Sequence, residues 1–258
     1  MATAPSSAAP WRTRFETHLN KNSSSEFLLS TIGHDAQNRP VPRSRVCGFR
    51  GFFPTPDLHS SAAETLEKQA GGGNPGVYES DMITFTTDVR MEKVGQLSAS
   101  GNVVEGVFWL KDVGSQWRVK GVAFVIGDAG GGEGEDEARR EIQRGLRVKD
   151  GEEGRVGDWG WEKQVTTYFA NHTPVLRGSF KSPPPGQPRS QVPADPNVKL
   201  GQKVDDIFDP IARKNFRVVV IRPEEVEQLD VSDYENPQRW NWTWDEKKGQ
   251  WEEVELWP

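Results

Sequence analysis

Short runs of β-branched and aromatic residues, bounded by Gly, Pro, Asn and Asp, limit this chain to a sheet-dominated fold. The runs are EFLLSTIG (26–33), PVPRSRVCGFRGF (40–52), DMITFTTD (81–88), NVVEGVFWL (102–110), QWRVKGVAFVI (116–126), NFRVVVIRPEEVEQLDVS (215–232), RWNWTWDE (239–246) and QWEEVELWP (250–258). Each reads as a strand by residue type. The polar links HDAQNR and KDVGS make hairpins of the first and the middle pairs. Helical periodicity is confined to brief stretches. Trp11, Phe15 and Leu19 fall on one face after Pro10, and Trp161, Val165 and Tyr168 or Phe169 do so later. Residues 89–97 suit two helical turns with Asp88 as N-cap. Strands joined by hairpins, with short helices between, predict a mainly β (α+β) fold, an antiparallel split β-barrel with short flanking helices. No GxGxxG follows a strand, which excludes a Rossmann dinucleotide site.

Three stretches interrupt the strand pattern and are expected to be loop insertions at 54–80, 127–160 and 181–206. The first is rich in Pro, Ser and Gly; the second, rich in Gly and acid around a short charged helix, reads as a solvated excursion; the third carries SPPPGQP. Residues 1–9 read as a disordered tail and 10–258 as a single domain. The net charge of −6 argues against nucleic acid or anionic membrane as partners. The lone Cys47 forms no intramolecular disulfide and suits a reducing compartment, so a cytoplasmic location is expected. No apolar stretch is long enough to span a membrane. The four His lack zinc spacing and the acidic cluster at 133–137 lacks calcium-loop spacing, so no metal is expected.

Two segments carry chemistry. Arg43 and Arg45, two apart on a strand, point to one side. Adjacent guanidinium groups are tolerable in water or around an anion, and their fork matches phosphate; an exposed strand edge defended by charge is the plainer alternative. In Thr86-Thr87-Asp88-Val89-Arg90-Met91-Glu92-Lys93 a strand delivers hydroxyls just where a helix begins. A helix N-terminus favours anions, and Arg90 and Lys93 at i, i+3 share a face.

Taken with their order, these residues resemble a known family. Arg45-Val46-Cys47-Gly48-Phe49-Arg50-Gly51-Phe52, then Phe85-Thr86-Thr87-Asp88 with Arg90, Lys93 and Gln96-Leu97, then Trp109 and Gln116-Trp117-Arg118-Val119 with Gly121, are similar to the split-barrel domain of pyridoxamine 5'-phosphate oxidase-like proteins that bind flavin mononucleotide (FMN). Arg177-Gly178-Ser179-Phe180 and Pro184-Pro185-Gly186 match the plant, fungal and cyanobacterial branch. The resemblance implies that Arg45 and Lys93 hold the FMN phosphate with Thr87 and Arg90 nearby. It places Val46 and Thr86 against the cofactor, and Gln116 on the flavin from a partner subunit of a homodimer. It puts Arg50, Tyr168, Arg177 and Arg239 on a small-molecule substrate, a phosphorylated B6 vitamer in the family's oxidases. Three departures stand out: Met91 replaces a frequent Ser, His172 replaces a substrate-phosphate Arg, and Pro237-Gln238-Arg239-Trp240-Asn241 replaces an Arg-x-His-x-Arg run. No catalytic residue is assigned, because a flavin does its own redox chemistry. A flavin-dependent oxidoreductase, a flavin-binding module without turnover and a non-flavin β-barrel interaction protein all remain open.

Overall fold

The computed structural model describes residues 7–128 and 132–258. Ten strands form among the described residues: β1 (Glu26–His34), β2 (Pro40–Gly48), β3 (Tyr78–Glu79), β4 (Ile83–Asp88), β5 (Val103–Leu110), β6 (Ser115–Ile126), β7 (Arg147–Val148), β8 (Phe216–Asp230), β9 (Gln238–Asp245) and β10 (Gln250–Leu256). Seven α-helices accompany them among the described residues: α1 (Arg12–Lys21), α2 (Ser60–Ala70), α3 (Glu92–Ala99), α4 (Glu133–Arg144), α5 (Trp161–Ala170), α6 (Pro174–Ser179) and α7 (Pro210–Asn215). The main sheet runs β10-β9-β8-β6-β5-β1-β2, with β4 on the first half of β8, and its pairings are antiparallel.

Two backbone hydrogen bonds close this sheet into a barrel. Arg50 N–H donates to Thr84 O (2.8 Å) and Thr84 N–H to Gly51 O (3.1 Å), tying the chain just past β2 to β4. A glycine permits a register shift in the wall: β8 carries an extra residue, Glu224, opposite the Lys120–Gly121 step of β6, where a Cβ on Gly121 would sit 2.1 Å from Arg222 O. Alternate residues of the barrel strands point inward (Phe27, Leu29, Phe85, Phe108, Trp117, Val119) and are buried. Helix α1 plugs one end. Its Trp11, Phe15 and Leu19 stripe is buried, and the Phe15 ring lies 5.0 Å from Phe108 and 4.9 Å from Trp117. A second core forms outside the barrel, where Val218 and Val220 of β8 meet Phe169, Phe180, Ile142 and Leu66 from the helices. The run Val218–Ile221 is therefore buried on both faces.

Two of the three expected loops are built into that second core. Residues 54–80 hold α2, which buries Ala62 and Leu66, and then Val77 and Tyr78. The helix runs from its His59 cap to Gly71 at φ 65°; the flanking Pro, Ser and Gly concealed its i, i+4 apolar pair. Residues 127–160 hold α4, whose Ala138 and Ile142 are buried, and β7, which pairs with β3. The acidic outer surface of α4 concealed a two-residue apolar stripe. Residues 129–131 of this segment lie outside the described residues. The third stretch, 181–206, has neither helix nor strand, although Val204 is buried. Of the expected tail, residues 1–6 lie outside the described residues. Ala9 is buried, its N–H donating to Asp81 Oδ2 at 3.1 Å. No helix among the described residues is long and apolar enough to cross a membrane.

Candidate functional site

Strand β2 turns Arg43, Arg45 and Cys47 toward α3, and its neighbour β1 presents Thr31 on the same side. Arg45 Nη1 donates to Thr31 Oγ1 (2.6 Å) and Nη2 donates to Gln96 Oε1 (2.6 Å) on α3. Thr31 Oγ1 also donates to Gln96 Oε1 (2.7 Å). One turn earlier on α3, Lys93 Nζ donates to Thr87 Oγ1 at 3.1 Å and approaches Met91 Sδ at 2.8 Å. Every one of these partners is neutral. Burial lowers the pKa of both Arg45 and Lys93, and the positive charge of Arg45 lowers that of Lys93 further. The two cations therefore share one neighbourhood, and both act on the Cys47 thiol, whose own pKa is raised by burial. Glu92 acts on Arg45 and Asp88 on Lys93 only at a distance, so neither half-buried cation has a paired counter-charge to repay its desolvation. Such a seat suits an anion, and a phosphate fits the two charges.

The other site candidates separate into distinct groups. Arg90 does not share a helical face with Lys93, because α3 starts at Glu92 with Met91 at its N-cap. Asp88, expected to cap that helix, instead accepts from Arg90 N–H (2.8 Å), Nε (2.9 Å) and Nη2 (2.6 Å). Arg90 Nη1 donates to Ser182 O, so the side chain clamps the 180–182 segment. A carboxylate two residues away captured it, which helical spacing alone could not show.

Thr86 projects to the face of β4 opposite Thr87. Its hydroxyl lies 2.8 Å from His172 Nε2, and His172 Nδ1 lies 2.8 Å from Tyr168 O. The carbonyl can only accept, so Nδ1 carries the proton and Thr86 donates to Nε2. Burial, reinforced by the nearby charges of Arg50 and Arg177, pushes the His172 pKa down to about 4. Arg50 lies beside this pair with its pKa lowered by burial and its buried Nε without a partner. Tyr168 is fully buried, its ring parallel to Phe53, and burial raises its pKa. Its hydroxyl is buried without a hydrogen-bond partner.

Neutral His172 supports the fold above its unfolded pKa near 6.5, and that support is lost as pH falls toward 4. Over that window the loss approaches ~1.4 kcal/mol per pH unit. Urea midpoints at pH 7 and pH 5 should therefore fall more steeply for wild type than for His172→Gln. Equal slopes would show that His172 titrates normally in the folded state.

Val46, Gln116 and Arg239 lie on the outer face of the sheet, away from the Arg45–Lys93 seat. Val46 is 61% exposed and opposes Leu28, itself exposed. Gln116 stands between Trp109 and Leu229, and Leu229 in turn pairs with Arg239. Arg239 Nη2 is committed to Glu227 at 2.7 Å. Two residues that sequence reasoning left unassigned, Thr31 and Gln96, join the seat. Strand alternation placed Thr31 on the side of Arg45, and helical spacing placed Gln96 beside Lys93.

The barrel defines a class of fold, and comparison with known proteins agrees on it. Residues 8–127 match the family described as pyridoxamine 5'-phosphate oxidase, FMN-binding domain. This part of the chain belongs to that family. The whole fold is similar to a pyridoxamine 5'-phosphate oxidase-related, FMN-binding protein from Nostoc punctiforme PCC 73102, at 19% identity and a TM-score of 0.58, covering 98% of this chain and 100% of that one. It is also similar to PhzG from Burkholderia lata 383, at 13% identity and a TM-score of 0.51, covering 98% and 94%. At these identities the likeness is one of fold. No curated protein matches the sequence.

Proposed function

We propose that the chain binds FMN by its phosphate at Arg45, Lys93 and Thr87 and acts as a flavin-dependent oxidoreductase. The observation that carries this reading is the pair of half-buried cations, one from β2 and one from α3, whose hydrogen-bond partners are all neutral. Bound FMN would supply the hydride-accepting ring; the protein holds its phosphate and orients the rest. Arg45 contributes the planar fork and Lys93 a point charge. Thr31 and Gln96 keep the guanidinium of Arg45 aimed into the seat. A homodimer fits this reading. Val46, Gln116 and Arg239 occupy an outer sheet face with exposed Leu28, Trp109 and Val103, where only a second copy could bring them toward a seat.

Incubation of the purified chain with FMN, followed by gel filtration, should leave flavin absorption bands on the protein at about one per chain. A spectrum with no retained flavin would return the chain to the reading of a barrel interaction protein. Burial of Tyr168 and the neutral state of His172 favour a second reading, a flavin-binding module that does not turn over phosphorylated B6 vitamers. On that second reading the flavin-loaded chain consumes no oxygen with pyridoxamine 5'-phosphate, and consumption would exclude it.

A further inference from the structure

Arg177 on α6, which the family resemblance places on substrate, is a buried cation that the phosphate seat does not use. It is 3% exposed, and its Nε and Nη1 are buried without a hydrogen-bond partner. A buried guanidinium left this way is costly unless something outside the chain completes it. It lines a cleft of about 310 Å³ between α2 and the α5–α6 turn, together with His59, Ser61, Thr65, Asn171 and His172.

The other polar groups there are engaged with the protein. His59 Nδ1 lies 2.8 Å from Ser61 Oγ and caps α2, and Thr65 Oγ1 donates to Ser61 O. Asn171 accepts from His59 N–H and donates to Asp57 O, and His172 is held by Thr86 and Tyr168. The start of α2 faces the same cleft, adding the positive end of its dipole. Asp205 also lines the cleft. It and Asp206 act on Arg177 as carboxylates at a distance, and both are exposed.

We propose that this cleft binds the carboxylate of a small organic acid, gripped by the Arg177 fork. One cation, with an acidic residue at the mouth, suits a single negative charge. A phosphate dianion would be repelled by Asp205 and lacks the second cation that the Arg45–Lys93 seat provides. The site is separate from that seat and stands whether or not flavin binds.

Benzoate and inorganic phosphate serve as probes, titrated calorimetrically into the full chain saturated with FMN, or into the chain alone if it takes up no flavin. Benzoate should bind at one site per chain, and phosphate at equal concentration should not. Arg177→Gln should weaken benzoate at least tenfold, and Asp205→Asn should tighten it several-fold. The double variant Arg45→Ala with Lys93→Ala should bind benzoate as wild type does, which separates this site from the phosphate seat. Without ligand, Arg177→Met should keep or raise Tm, since it removes an uncompensated charge. Unchanged benzoate affinity in Arg177→Gln would overturn the proposal, as would loss of benzoate binding in the double variant. A lower Tm in Arg177→Met would make Arg177 a structural residue, and phosphate binding as well as benzoate would refute the choice of a carboxylate.

Discussion

Replacing Arg45 and Lys93 together by alanine is expected to weaken FMN binding by roughly two to four orders of magnitude. Hydrogen bonds to a charged group contribute about 1.5–3 kcal/mol each, so losing two costs about 3–6 kcal/mol, and each 1.4 kcal/mol is tenfold in affinity. The fold should tolerate the change. Neither side chain closes an ion pair or fills a core position; their partners Thr31, Gln96 and Thr87 are neutral groups at the edge of the seat. Removing two desolvated like charges relieves repulsion as well. The variant should therefore keep its circular dichroism and Tm in the absence of flavin while fluorescence titration shows the lost affinity. Flavin retained near the wild-type level would place the phosphate elsewhere and undo the functional reading.

Arg45→Ala alone should cost more than Lys93→Ala alone. The guanidinium can give two parallel hydrogen bonds to one phosphate and is already aimed by Thr31 and Gln96. Lys93 gives up a neutral hydroxyl and a thioether to meet the ligand. Riboflavin, which lacks the phosphate, should bind wild type and double variant equally.

The strands were legible because their cause is local. β-branched and aromatic residues alternate along β5 and β6, and the hairpin link between them is polar, so burial of one face forces the pairing seen. The seat was less legible: strand alternation put Arg45 beside Arg43, helical spacing paired Lys93 with Arg90, which the start of α3 separates, and the Arg45–Lys93 pair was implied by the family resemblance. Arg90 was misplaced because its capture by Asp88 depends on where α3 starts, a tertiary outcome set by the 180–182 carbonyls. Helix α2 was missed, and α4, expected as a short charged helix, was read as solvated, because each buries few apolar residues on one stripe. Their compositions, rich in Ser and Gly in one case and in acid in the other, resemble those of solvated loops. Tyr168 illustrates a further limit. Periodicity puts it on the apolar face of α5, and family resemblance puts it on a ligand; burial against Phe53 follows the periodicity.

The acid-rich segment 127–160 should prove integral to the fold, and Asp81 is where that is tested most severely. Asp81 accepts from Arg147 Nη1 (2.6 Å) and Nη2 (3.3 Å), from Ala9 N–H (3.1 Å), and lies 3.6 Å from Arg12. Its side chain is 7% exposed and that of Arg147 is 9% exposed. Asp81→Ala leaves Arg147 with only the half-exposed Glu79, at 3.1 Å. Removing one partner of a buried pair costs about 3–5 kcal/mol. For a chain of this size that lowers Tm by roughly 6–20 °C, at about 2–4 °C per kcal/mol. Arg147→Met should cost less, because Asp81 keeps Arg12 and the Ala9 amide, and a methionine can fill the space. The expected order is therefore Asp81→Ala well below Arg147→Met, and both below wild type. Were the segment a detachable excursion, both variants would melt within a degree of wild type, since the ion pair would open to water at no cost.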